Sequence, residues 1–207
     1  MSVRFLKEVA LCAALPLLLG GCASMAPQTN TSATTATAAR PYADKLDVGG
    51  RLSVRYANQG KEEAMHGSFT WSQDPAHTSV TLLSPLGQTV AVIDVTPDGA
   101  TLAQGGQPVR SAADVDELVA GTLGWPLPVA GLREWLQGYA VDASGKRVIA
   151  SPQATDIATR DGWRIRYAAW QNDPAQIRPR RIDLDRNTAQ GGDVSIRIVI
   201  DNWQARQ

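Results

Sequence analysis

Val194-Ser195-Ile196-Arg197-Ile198-Val199-Ile200, near the C-terminus, sets Val194, Ile196, Ile198 and Ile200 on one side and Ser195 and Arg197 on the other. Successive side chains of a strand point to opposite faces, so this stretch reads as a strand with one face buried and one in water. The same rhythm recurs upstream. Ile182 and Leu184 alternate with Arg181, Asp183 and Asp185, and Trp163, Ile165 and Tyr167 alternate with Arg164 and Arg166. Within residues 46–57, Leu52, Val54 and Tyr56 alternate with Ser53 and Arg55. Residues 67–73, 78–84, 89–96 and 100–103 read as further strands, divided by turn signals such as Pro97-Asp98-Gly99 and Gly105-Gly106. Many short strands of this kind predict a curved sheet or a barrel.

One region breaks the rhythm. In residues 113–123, Val115, Leu118, Val119 and Leu123 fall near helical spacing. Asp114, Asp116 and Glu117 come early, where a helix dipole favours negative charge, and a solvated helix start explains this acidic trio. In residues 129–137, Leu132, Trp135 and Leu136 form one stripe, and Gly138 fits a helix stop. Trp125-Pro126-Leu127-Pro128 joins the two. The fold class is therefore mainly β with a helical insertion.

The N-terminus has a separate purpose. Arg4 and Lys7 precede an apolar core, and small residues then lead to Cys22, the order of a secretory signal. The core is shorter than the about 20 apolar residues of a spanning helix. Leu19-Gly20-Gly21-Cys22 resembles the lipobox of bacterial lipoproteins, which implies cleavage before Cys22 and acylation of Cys22. Ala23 follows where an aspartate would signal inner-membrane retention, so the resemblance implies export to the outer membrane. Three segments result: a signal peptide (1–21), an acylated cysteine with a flexible linker (22–41), and one domain (42–207). The linker is rich in Thr, Ala and Ser and holds almost no large apolar residue. It has a flexible end-to-end distance of about 25 Å and an extended reach of about 65 Å.

Composition narrows the function. Without its signal the chain has 18 basic and 19 acidic residues, with no basic surplus to suggest nucleic acid. Cys22 is the only cysteine left, so no disulfide is expected if it carries lipid. The remaining histidines are His66 and His77. The zinc-protease, nucleophile-elbow, phosphate-loop and dinucleotide motifs are all missing. This lowers the expectation of an enzyme, although triads assemble from distant residues. Six tryptophans stand against two phenylalanines. Each reads first as core, yet six indoles are hard to close-pack and their nitrogens need partners. A half-closed barrel under a helical cover would use them to line an apolar cavity suited to acyl chains.

Two stretches carry a family resemblance. One is Gly67-Ser68-Phe69-Thr70-Trp71 followed by Leu82-Leu83-Ser84-Pro85-Leu86-Gly87-Gln88-Thr89. The other is Gly124-Trp125-Pro126-Leu127-Pro128 running into Leu132-Arg133-Glu134-Trp135-Leu136-Gln137-Gly138. With Gly162-Trp163-Arg164-Ile165-Arg166-Tyr167 and Ile200-Asp201-Asn202-Trp203, they resemble the outer-membrane lipoprotein receptor family, LolB. The resemblance implies an unclosed antiparallel barrel of about eleven strands, covered by helices over an apolar cavity. It implies a receptor, not an enzyme, that takes lipoproteins from the periplasmic carrier LolA and inserts them into the outer membrane. Trp71, Trp135 and Trp163 match positions that line the family's cavity. Leu86, between Pro85 and Gly87, matches a leucine that projects for membrane delivery. On the residues alone, a turn leucine folds back onto the core; the resemblance reverses that expectation. Trp125 falls at a variable family position and takes no role from the likeness.

Implied partners are LolA, acylated cargo and outer-membrane lipid. The expected state is a monomer with no cofactor beyond the lipid on Cys22. Arg178, Arg180 and Arg181 form a basic group suited to an acidic carrier rim, or equally to a charged strand edge that deters aggregation. The competing readings are a structural or assembly lipoprotein with a closed core, and a periplasmic hydrolase.

Overall fold

In the computed structural model, residues 40–58, 60–172, 177–188 and 192–206 are described. The signal segment, Cys22 and the linker before Arg40 lie outside them.

Six strands come first: β1 (Leu46–Asn58), β2 (Lys61–Gln73), β3 (Thr78–Leu83), β4 (Thr89–Thr96), β5 (Gly99–Ala103) and β6 (Arg110–Ala112). Helices α1 (Val115–Leu123) and α2 (Val129–Trp135) follow, then a small hairpin of β7 (Tyr139–Val141) and β8 (Arg147–Ile149). The chain returns through β9 (Asp156–Ala158), β10 (Arg164–Asn172), β11 (Ile177–Thr188) and β12 (Gly192–Ala205). Ten strands make one antiparallel sheet in the order β6-β5-β4-β3-β2-β1-β12-β11-β10-β9, and β7 and β8 pair apart from it. Edge strands β6 and β9 do not meet, so the sheet is open. Among the described residues there are twelve strands, ten of them in the main sheet, where the family resemblance implied a barrel of about eleven.

The first and last long strands close the middle of the sheet. β1 pairs β12 from Leu46↔Ala205 to Tyr56↔Val194, with a bulge at Gly49/Gly50. A Cβ at Gly50 would lie 2.1 Å from the Val199 carbonyl oxygen, so only glycine admits this approach. Bulges bend a strand and increase its twist. Alternation places Leu52, Val54, Phe69, Trp71, Val80, Leu82, Ile93, Ile182, Leu184, Ile196 and Ile198 in one buried core. Ser53, Arg55, Arg181, Asp183 and Arg197 are their polar partners in the period.

On that outer face, Asp183 is buried beneath three arginines. Arg181 Nε and Nη2 donate to its two oxygens at 3.0 and 2.9 Å, Arg166 Nη2 at 2.9 Å and Arg197 Nε at 3.3 Å. Burial pushes the Asp183 carboxyl up, but hydrogen bonds from Arg181 and Arg166 outweigh it. The group sits below the ordinary carboxylate range.

The helices lie where the sequence spacing places them. Asp114 caps α1 by accepting from the Glu117 N–H at 2.9 Å, and Gly124 ends it at φ 81°. Val115, Leu118 and Val119 are its buried stripe. Pro128 precedes α2, which buries Val129, Leu132 and Trp135. Asp116 on α1 accepts from the Ala130 N–H at 3.1 Å and ties the helices together. Burial pushes its carboxyl up.

Candidate functional site

The site is the space between the inner face of the sheet and α2. Leu52, Phe69, Trp71, Val80, Leu82 and Ile198 approach from the sheet, and Leu127, Leu132 and Leu136 from the helical side. They surround a void of about 20 Å³ lined only by apolar side chains. That is little more than the roughly 10–15 Å³ that one water needs, and an apolar hole of this size stays dry. Among the described residues, the space between the sheet and α2 is therefore narrow, not the roomy cavity expected from six tryptophans. Four indoles, those of Trp71, Trp125, Trp135 and Trp163, pack fully into the core, while Trp170 and Trp203 lie at its margin. Irregular neighbours close-pack rings that a count of tryptophans suggested could not be packed.

The three tryptophans assigned to one cavity wall occupy two places. Trp71 borders the void, and its indole N–H donates to Gln73 Oε1 at 2.9 Å, two residues along the same strand face. Trp135 and Trp163 meet edge to face, with centroids 6.4 Å apart and planes at 64°. Trp135 also borders an open groove of about 680 Å³, with Ala130, Gly131 and Val141 on its apolar part and Glu134, Asp142, Arg160 and Asp161 around it. A Cβ at Gly131 would come within 2.4 Å of the Trp135 ring, so this helical glycine makes room for the indole.

Helix α2 is held by polar ties that the sequence did not disclose. Arg133 Nη1 donates to Thr78 Oγ1 at 2.6 Å, and Nη2 donates to the Asp74 carbonyl, fastening α2 to the β2–β3 turn. Gln137 accepts from the Ala43 N–H at 2.8 Å and returns Nε2 to the Ala43 carbonyl at 3.1 Å. The Tyr167 hydroxyl donates to the Trp135 carbonyl at 3.1 Å. Burial raises the Tyr167 phenol far above its ordinary range, so it stays a donor. These partners lie tens of residues apart in the chain, where no local pattern signals them. The start of the domain is fastened beside them. Arg40 donates to the Ile177 and Ala150 carbonyls at 2.9 and 2.7 Å, and Tyr139 donates to the Arg40 carbonyl.

The turn of Pro85, Leu86 and Gly87 is built to present its middle residue. The Gly87 N–H donates to the Ser84 carbonyl at 2.9 Å, and the Ser84 N–H to the Gln88 carbonyl at 2.8 Å. Proline at the second position and glycine at the fourth suit such a turn. Leu86 is 87 % exposed. The folded-back arrangement expected of an ordinary turn leucine does not occur.

The basic trio does not act as one patch. Arg178 stacks over the Trp203 ring at 4.0 Å, Arg181 is committed to Asp183, and Arg180 is exposed. The β10–β11 pairing passes from Ala169↔Arg181 to Trp170↔Pro179, which leaves Arg180 as the bulged residue. Bulging breaks the simple alternation assumed for these arginines.

Residues that could carry hydrolysis are dispersed. Ser53 Oγ and His66 Nδ1 are 2.9 Å apart on exposed strands, and no carboxylate pairs with His66 among the described residues. His77 lies 3.1 Å from Asp94. Among the described residues, no cluster of His, Cys, Asp and Glu is placed to hold a metal, and no helix is long and apolar enough to cross a membrane.

The family described as outer membrane lipoprotein LolB matches residues 44–203. A protein of Cupriavidus necator named outer-membrane lipoprotein LolB is 43 % identical over 192 residues, covering 92 % of this chain and 93 % of the relative. A protein of the same name from Thiobacillus denitrificans is 35 % identical over 201 residues, covering 97 % and 99 %. Among solved structures, a LolA superfamily protein from Nitrosomonas europaea is similar at a TM-score of 0.42 with 12 % identity, covering 81 % of this chain and 89 % of that one.

Proposed function

As the chain belongs to the outer membrane lipoprotein LolB family, we propose that it is a lipoprotein receptor, not an enzyme. It is anchored by lipid on Cys22 to the outer membrane and faces the periplasm. It accepts acylated proteins from the carrier LolA and inserts them into the bilayer. The observation that carries this reading is the wholly apolar seam between α2 and the sheet, narrowed to a void of about 20 Å³. Acyl chains enter that seam by displacing α2, whose rigid-body motion leaves the sheet intact.

The magnitudes allow it. Arg133, Gln137 and Tyr167 hold α2 with five hydrogen bonds, each worth about 1 kcal/mol net, more where the arginine takes part. An acyl chain gains about 0.8 kcal/mol per methylene removed from water, so roughly six to eight methylenes offset those ties. Longer chains leave a surplus that opens the seam. No nucleotide motif is present, so transfer runs downhill from carrier to receptor to bilayer. Trp71 meets the chains within the seam, and Trp135 and Trp163 form the adjoining wall. Leu86 enters the bilayer during delivery; burial of a leucine gains about 1.5–3 kcal/mol, enough to orient the domain and too little to anchor it. Arg180, exposed at the bulge, is the member of the basic trio available to an acidic carrier rim.

One observation favours a second reading, a tethered scaffold with a closed core: the interior is almost full. An environment-sensitive fluorescent fatty acid separates the two. The receptor binds it stoichiometrically and releases it to a triacylated lipopeptide. Absence of binding by the folded protein establishes the scaffold instead.

A further inference from the structure

Val109 is the second most exposed large apolar residue among those described, at 65 %, and the next in rank are at 43–46 %. It closes the β5–β6 turn, as Leu86 tops the β3–β4 turn. β4 leaves the Leu86 turn, antiparallel β5 runs back toward it through Thr96↔Gly99 to Val92↔Ala103, and β6 restarts at Leu102↔Arg110. Both turns therefore emerge from the same end of the sheet. β5 stops opposite Val92, three residues short of the start of β4, a setback of about 10 Å along the strands. The two turns are also about 10 Å apart across the strands. Both turns thus leave the β3–β6 corner at one end of the sheet, roughly 14 Å apart.

The chemistry of the turns matches as well. Residues 84–89 and 104–109 contain no charged side chain. Each turn carries a proline, Pro85 or Pro108, with no N–H to leave dehydrated. Three backbone donors near the tips are used internally. Gly87 N–H donates to the Ser84 carbonyl, Gln88 N–H to Ser84 Oγ at 3.2 Å, and Gln107 N–H to the Gln104 carbonyl at 3.2 Å. Gly87 and Gly106 both adopt positive φ, 78° and 73°. Exposed Arg110 follows Val109 directly, and a guanidinium is the side chain best suited to bond a phosphate. At the same end, the β1–β2 turn is followed directly by the charged run Lys61, Glu62 and Glu63.

We infer that the Val109 turn is a second membrane-contacting element, which together with Leu86 seats the β3–β6 corner of the domain on a phospholipid bilayer. This rests on the delivery role proposed for Leu86. Two points of entry fix the tilt of the domain, whereas one leaves it free to pivot, and a fixed tilt keeps the seam's mouth against the lipid.

The test uses the acylated full chain anchored in phosphatidylethanolamine–phosphatidylglycerol vesicles. With Cys22 acylated, Val109→Cys, Leu86→Cys and Asn58→Cys each supply one thiol for an environment-sensitive fluorophore. The probes at 109 and 86 should shift to the blue and be quenched by lipids spin-labelled near the headgroup, while the probe at 58 stays aqueous. An aqueous probe at 109 beside a buried one at 86 overturns the inference and spares the delivery reading. An aqueous probe at 86 overturns the delivery reading itself. In transfer assays, Val109→Glu should lower delivery about threefold to tenfold with cargo uptake unchanged, and Val109→Leu should retain it. Full delivery by Val109→Glu also overturns the inference.

Discussion

Trp71 and Leu86 are large apolar residues of the same half of the sheet, and they are used in opposite ways. Trp71 is 2 % exposed, hydrogen-bonded to a buried glutamine and packed beside the central void; Leu86 is 87 % exposed on a turn closed by its own backbone. The difference separates two meanings of apolar surface. Around Trp71, burial stabilises the fold, and on the proposed reading a ligand enters only if α2 gives way. At Leu86, exposure contributes nothing to the fold and stands ready for another phase. A receptor that moves lipid needs both, kept apart so that a change in one does not disturb the other.

The separation predicts which readout each substitution moves. Trp71→Ala should cost about 3–5 kcal/mol in denaturant unfolding, from lost burial, a cavity and an unpaired Gln73; a loss under 1 kcal/mol would show that the centre is loosely packed. Leu86→Glu should leave stability within about 0.5 kcal/mol and cut delivery into vesicles about tenfold or more, with uptake from the carrier retained. If uptake falls alongside delivery, the turn is not a separate device. Arg133→Met should lower stability by about 1–3 kcal/mol and speed fatty-acid association, since it releases α2 from Thr78 and Asp74. Association at the original rate would point to another moving part.

The smallest effect concerns acid. The Asp183 carboxyl is held below its ordinary pKa, so its contribution is present above the unfolded value of about 3.9 and is lost as pH falls through the folded value. Asp183→Asn should therefore be less stable at neutral pH and lose less on acidification below about pH 4. Asp74, Asp142 and Asp201 are depressed too, so part of the acid sensitivity should persist. A variant whose stability parallels the parent's at every pH contradicts the role given to the arginine hub.

The sequence made the long strands legible because their alternation survives wherever one face is buried, as at residues 194–200. Both helices were legible from spacing, an acidic start and a glycine stop. β6, β7, β8 and β9 were not, since three residues are too few to show a period. The first half of β2, Lys61-Glu62-Glu63-Ala64-Met65-His66, was missed for another reason. Its residues are largely exposed, so pairing with β1 holds it without an apolar face. Leu86 could be placed on a turn, but its exposure depends on hydrogen bonds within the turn. Least legible was the interior. How Trp135 fits over Gly131, or how Arg133 reaches the β2–β3 turn, depends on contacts between distant segments, and a composition rich in tryptophan does not say whether the rings leave a hollow.

The central claim is that the seam beneath α2 opens for acyl chains. It is tested most directly by the distance between spin labels at Ala130→Cys on α2 and Asp98→Cys on the β4–β5 turn, both exposed positions, before and after saturation with a triacylated lipopeptide. The account predicts a shift to longer distance by about 5 Å, half the spacing of packed layers. An unchanged distance in a protein that has bound lipopeptide stoichiometrically would contradict it.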